Sequence, residues 1–255
     1  MNYREINFDI LKDIDKKKKY IIIPIGTIEV HGPHLPFGTD LYIAEAFSNE
    51  LEKIIDSIIM PSIYYSYSGT TSNIDGTISI DVNSVSDYLY NIIKSLIRSN
   101  FEKIIVINIH KDNDPIIKLA LAKIFEEYVL PVLYINPYSD YSELSERVFS
   151  NKSNSHKETS ILSASLKILN KKGLIGKIRL SDGLRTQKQK FVEKLLKIGY
   201  VKYGHTNEMQ HIPPVEDAST DDGLIYIKEV IKIIASNIMY LQKYINYLKK
   251  TNQNG

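Results

Sequence analysis

The chain has 255 residues, 43% of them hydrophobic and 24% charged, with a formal net charge of +2. That is the balance of an ordinary globular chain with a sizeable core, and near-neutrality removes the electrostatic footprint of a nucleic-acid or membrane-surface binder. Cysteine is absent, so disulfides and thiolate ligands are excluded and any metal site must use imidazole and carboxylate.

The opening segment, MNYREINFDILKD, is charged throughout and shows no signal-peptide pattern. No apolar run is long enough to cross a membrane, so the cytoplasm is the expected location. YIIIPI (20–25) reads as a strand buried on both faces. A helical segment, Leu41–Ile55, opens after Asp40, which is placed to cap it. SIIMPSIYY (57–65) reads as a second strand. In Asn83–Ser99, Val85, Leu89, Ile92, Ile93 and Leu96 form one apolar stripe. KIIVINI (103–109) reads as a third strand, and Pro115–Tyr128 as a helix opened by DNDP, an N-cap followed by an N1 proline. VLPVLYI (129–135) is a fourth strand; helices follow at Glu158–Leu169 and Asp222–Leu248. The less regular 180–220 is expected to wrap the domain or meet a partner subunit, and the terminal TNQNG to fray. No linker or repeat divides the chain, so 1–255 is read as one domain. Strand and helix in alternation predict a three-layer α/β/α fold with a mostly parallel sheet, whose ligands bind at the carboxyl ends of strands.

Three polar clusters follow predicted strands. In PIGTIEVHGPHLPFGTD (24–40), Glu29 and His31 are two apart, so an extended backbone points both the same way. Asp40 returns at the start of the next helix. Carboxylate, imidazole and carboxylate suit a divalent ion, and one carboxylate can bridge two ions. Gly32 and Gly38 are expected to let the loop turn, and Pro33 and Pro36 to stiffen it. In NIHKDN (108–113), His110 and Asp112 repeat the spacing. In NSHKETS (154–160), His156 and Glu158 repeat it again, just before a helix. The plainer readings are a cap for Asp40, helix N-termini for Asp112 and Glu158, a structural or supporting role for His34, and surface or interface positions for His205 and His211.

The first cluster closely resembles the signature of the creatininase (creatinine amidohydrolase) family. SNIDGTISID (72–81) resembles the family's Phe-Pro-Gly-Thr segment, with Gly76 and Thr77 kept. KIIVINIHKDN resembles its strand ending in a metal-binding His, ETS (158–160) its Glu-Thr-Ser, and ASTDDG (218–223) the segment before its last helix. The resemblance implies a creatininase-like fold, often hexameric, and two divalent ions: zinc, manganese or iron(II). By position it implies Glu29 and His110 on one ion, His31 on the other, Asp40 between them, and Asp112 as a further ligand. It also implies substrate contacts at Ser68, Lys111, Phe149 and Ser153. Ser153 stands where the family has a His, so His156 is expected to supply the proton transfer, with Glu158 in reserve. Tryptophan, which creatininase packs on its substrate, is absent.

The expected function is hydrolysis of a C–N bond in a small cyclic amide or formamide by metal-activated water, in a homo-oligomer. Two alternatives stand beside it. One is a deformylase of formamidopyrimidine nucleotides in flavin or deazaflavin biosynthesis, for which Lys111 would meet a phosphate. The other is a non-catalytic binding protein of the same fold, which would lack a proton donor beside the metals.

Overall fold

A computed structural model describes residues 1–150, 152–176, 190–205 and 215–253. Four strands form one sheet: β1 (Tyr20–Ile25), β2 (Ser57–Ile59), β3 (Lys103–Asn108) and β4 (Leu133–Ile135). Their order is β2-β1-β3-β4 and every pair is parallel. Alternation along β1 builds two cores. Ile22 faces one side, while Ile21, Ile23 and Ile25 face the other, and all are buried.

The helices are α1 (Phe8–Asp13), α2 (Thr39–Glu52), α3 (Val82–Arg98), α4 (Asp114–Tyr128), α5 (Ser142–Phe149), α6 (Asn154–Ile168), α7 (Lys190–Leu196), α8 (Thr220–Asn237) and α9 (Met239–Gln253). Apolar residues of α2, α5, α6 and α8 cover one sheet face; those of α3 and α4, with Ile245 of α9, cover the other. This is the three-layer α/β/α arrangement expected from the pattern.

Two strands are shorter than their apolar runs. After Ile59 the chain meets Pro61, which has no N–H for a ladder, and rejoins β1 only at an isolated bridge between Ile25 and Ile63. Before β4, Val129 is left-handed at the C-cap of α4, and 129–132 is irregular chain rather than strand. Pro24 sits inside central β1 without penalty. Its carbonyl accepts from Ile63 N, so its missing N–H faces the side where β2 has already ended.

The expected helix 222–248 is two helices, interrupted at Ile238. Ile234 and Ile238 belong to one core and Leu241 and Ile245 to the other, so the chain bends around the β4 edge to cover both faces. α2 begins at Thr39 with Gly38 at its N-cap, so Asp40 lies in its first turn rather than capping it. α6 begins at Asn154, capped by Ser153. His156 and Glu158 are therefore helical, about 200° apart around the axis, and cannot point the same way. His211 lies outside the described residues, as do 180–189 and 206–214 of the irregular stretch. Among those described, no helix is long and apolar enough to cross a membrane.

Candidate metal centre

β1 and β3 are neighbours. The chain leaving β1 passes to β2 on one side, and the chain leaving β3 passes to β4 on the other. The crevice between their carboxyl ends is thus the switch point at which open α/β sheets bind ligands. Glu29 and His31 follow β1 and His110 follows β3.

Local sequence brings Asp40 to the same place. A Cβ on Gly26 would stand 2.7 Å from Leu41 N and 2.9 Å from the Asp40 carbonyl carbon, so only glycine lets the first turn of α2 press against the end of β1. Gly32 takes φ +74°, which turns the loop after His31. Gly38, at φ −88°, needs no such freedom. Thr77 Oγ1 accepts from Val30 N at 3.1 Å and holds the loop from outside.

Glu29, His31 and Asp40 are buried and offer ligand atoms within 4.8 Å of one another. Asp40 divides its oxygens: Oδ1 lies 3.2 Å from His31 Nε2 and Oδ2 lies 3.2 Å from His110 Nδ1. Glu29 Oε1 lies 3.0 Å from His110 Nδ1 and 3.8 Å from His31 Nε2. Glu158 Oε1 comes from α6 to within 3.4 Å of His31 Nε2. His31 Nδ1 donates to the Glu29 carbonyl at 3.1 Å, since a carbonyl can only accept, and this leaves Nε2 aimed at the carboxylates. Thr71 Oγ1 donates to Glu29 Oε2 at 2.5 Å.

This donor set fits divalent ions. Ligand atoms about 2.0–2.2 Å from one ion stand roughly 3.0–3.5 Å apart in octahedral or tetrahedral geometry, which matches the 3.0, 3.2 and 3.4 Å separations found. Three carboxylates also outnumber two imidazoles in a buried space, a surplus that cations neutralise. Without ions, protons take that place. Burial alone would push His31 down, but Asp40, Glu158 and Glu29 outweigh it and raise it to about 10. Burial opposes charge on His110 too, and Glu29 and Asp40 still raise it well above the ordinary range. Asp40 is desolvated, yet the two imidazoles hold it below the usual carboxylate range.

The other expected site residues make the following contacts. Asp112 accepts from Thr70 Oγ1 at 2.6 Å and pairs with Lys202 Nζ at 2.5 Å, and the charge of His110 acts on it too. His156 turns Nδ1 to Asp217 Oδ1 at 3.1 Å, on the side of α6 away from Glu158. Ser153 uses its hydroxyl to cap α6, accepting from His156 N. Phe149, expected against substrate, is 1% exposed in the core and packs on Tyr226. Ser68 is buried with its hydroxyl 2.5 Å from Thr27 Oγ1. Lys111 is exposed in a single 3-10 turn after His110. His34 is buried with Nε2 3.4 Å from Thr159 Oγ1, and burial lowers its pKa. His205, expected at the surface or an interface, is 6% exposed, and its backbone N–H donates to the Thr70 carbonyl at 2.8 Å.

Thr71, which no motif marks, braces Glu29 from TT (70–71), while Thr70 and the distant Lys202 hold Asp112. Asn108, unmarked by any ligand pattern, donates through Nδ2 to the His110 carbonyl at 2.7 Å and fixes the turn that carries the imidazole. A polar residue ending an otherwise apolar strand was the available signal.

The profile of the creatininase family, described as creatinine amidohydrolase, matches residues 4–167. The chain is 26% identical over 98 residues to a creatinine amidohydrolase of Pseudomonas putida, covering 36% of this chain and 38% of that protein. It is 27% identical over 122 residues to a 3-dehydro-scyllo-inosose hydrolase of Thermotoga maritima, covering 48% and 39%. It is 29% identical over 108 residues to a mycofactocin precursor peptide peptidase of Mycolicibacterium smegmatis, covering 40% and 43%. The matched segments thus span about two-fifths of each relative. A solved structure described as a manganese creatininase superposes with a TM-score of 0.74 at 17% identity, covering 93% of this chain and 96% of the other. A zinc–zinc form of a creatininase variant gives 0.72 at 16%, covering 93% and 96%. At such identity these structures speak for the fold. The profile match extends over well more than half of the 255 residues, and on that ground the chain belongs to the creatininase family.

Proposed function

We propose that the protein is a metal-dependent hydrolase of a C–N bond in a small amide, either a cyclic amide or a formamide. The observation that carries this reading is Asp40, which shows one oxygen to His31 and the other to His110. Glu29, His110 and Asp40 would hold one divalent ion, and His31 and Asp40 the second. Such ions supply a lowered water pKa and Lewis-acid polarisation of a carbonyl. Manganese, zinc and iron(II) all suit imidazole and carboxylate, and the solved neighbours include manganese and zinc–zinc forms.

The chain's own groups do the rest. Thr71 fixes the Glu29 carboxylate, and the Glu29 carbonyl fixes the His31 tautomer. Glu158 is 14% exposed at its side chain, so it touches both the centre and solvent. That suits it to take a proton and pass it to a leaving nitrogen, the role first expected of His156. A carboxylate so placed favours the catalytic reading over a binding protein.

The relatives are named for different substrates, a creatinine amide, an inosose and a peptide, so the proposal rests at the level of the bond. We place the chain in the cytoplasm as one domain of a homo-oligomer. Elemental analysis of the purified protein, followed by a panel of lactams, creatinine, formamides and formamidopyrimidine nucleotides, tests it. Two equivalents of a divalent metal and turnover of one amide class are expected. Absence of bound or bindable metal would overturn it.

A further inference from the structure

Just beyond β4, residues 136–140 form a turn pinned from several directions. Asn136 Oδ1 accepts from Tyr138 N at 3.0 Å and from Ser139 N at 3.3 Å. Asp140 Oδ2 accepts from Asn136 N at 2.7 Å, and Asp140 N donates back to the Asn136 carbonyl at 3.0 Å. Asn136 Nδ2 donates to Asp114 Oδ1 at 2.8 Å, and the Tyr226 hydroxyl donates to the Pro137 carbonyl. An Asx-type turn tied to two helices leaves its central residue little freedom.

That residue is Tyr138. Its ring packs against the core shared by α2, α5, α6 and α8. Its hydroxyl oxygen is buried and has no hydrogen-bond partner among the described residues. A buried phenol without a partner is costly, and native proteins rarely keep one without cause. Two groups of the metal centre act on it. Burial raises the Tyr138 pKa, and the charges of Glu158 and Asp40 raise it further. The ring thus lies on the core to which α2 and α6 contribute, the helices that carry Asp40 and Glu158, and its protonated hydroxyl is bonded to neither carboxylate. A protonated phenol so placed is a donor awaiting an acceptor.

We propose that the Tyr138 hydroxyl donates a hydrogen bond to an oxygen atom of whatever occupies the metal centre, either the carbonyl oxygen of a bound amide or a water in its place. This rests on the metal reading above. It adds to the site a donor from the third strand end around the crevice, in a loop that no ligand-spacing pattern marks.

Tyr138→Phe removes only the hydroxyl. Its melting temperature without metal should equal or exceed the parent's, because no protein partner is lost. Its metal content by elemental analysis should match the parent's. Manganese alone, then acetohydroxamate as an oxygen-donor probe, should each be titrated while the near-ultraviolet tyrosine difference spectrum is recorded. A signal on manganese alone identifies water as acceptor, and a signal only with acetohydroxamate identifies the ligand oxygen. In either case the signal should vanish in Tyr138→Phe. In the second case acetohydroxamate should also bind about three- to tenfold more weakly, as expected for one hydrogen bond. Identical difference spectra in parent and variant, or a lowered melting temperature of the metal-free variant, overturn the Tyr138 assignment alone. A parent that binds no divalent ion overturns the metal reading and this proposal with it.

Discussion

The Glu158 carboxylate lies 3.4 Å from Nε2 of His31, bringing the first turns of α6 to the loop after β1. His156, two residues earlier, points to Asp217 instead. Helical geometry makes that opposition unavoidable, and it decides which of the two serves the centre.

Glu158→Gln should therefore reduce turnover by about 10²–10⁴-fold, the usual worth of a proton-transfer group. His156→Ala should leave turnover within a few-fold of the parent and lower only thermal stability. Steady-state kinetics on the amide found active in the panel checks both. The reverse ranking would return the role to His156.

Asp40 is expected to matter to both ions at once. Asp40→Asn keeps the size of the side chain but removes the charge shared between His31 and His110. Metal content should fall toward zero with circular dichroism unchanged. Retention of one full equivalent would show that Asp40 serves a single ion.

Thr71→Val deletes the hydroxyl that orients Glu29. Outer-shell changes of this kind cost about 10–100-fold in metal affinity. Competition against a chromogenic chelator measures it, and parent-like affinity would show that Glu29 is positioned without Thr71.

Asp112 tests the ligand set that the family pattern implies. Its carboxylate is held by Thr70 and Lys202, and burial of the group is outweighed by those partners and by the charge of His110, which lower its pKa. Asp112→Asn should leave metal stoichiometry unchanged and cost no more than about 1 kcal/mol, since the ion pair is partly exposed. Loss of one equivalent of metal would restore Asp112 to the ligand set.

Chelation should expose a pH dependence that the loaded protein lacks. In metal-free protein His31 has a pKa raised from 6.5 to about 10. Because the folded value is the higher, this ion pairing contributes its full stability below about 6.5 and loses it as pH rises toward 10. Melting temperature in chelator should fall across that window. A flat profile would show that His31 is not held as an imidazolium.

The resemblance of 24–40 to a metal-binding signature was legible because its chemistry is local. Glu29 and His31 lie in nearly extended chain, where spacing alone sets direction, and their atoms do meet. The same rule misled at 156–158, because it was applied to residues already inside a helix. Phe149 and Ser68 were read by position in a family pattern, and position does not reveal that one is core and the other bonded to Thr27.

By itself the sequence determined the parallel α/β layering and the nearness of Glu29, His31 and Asp40, since apolar runs, glycines and short spacings act within a few residues. Tertiary structure decided what comes from afar. Strand order makes the crevice between β1 and β3 a switch point, and helix phase sends Glu158 inward and His156 outward. Lys202 crosses the chain to claim Asp112. Each of these depends on how whole elements pack, which no local pattern encodes.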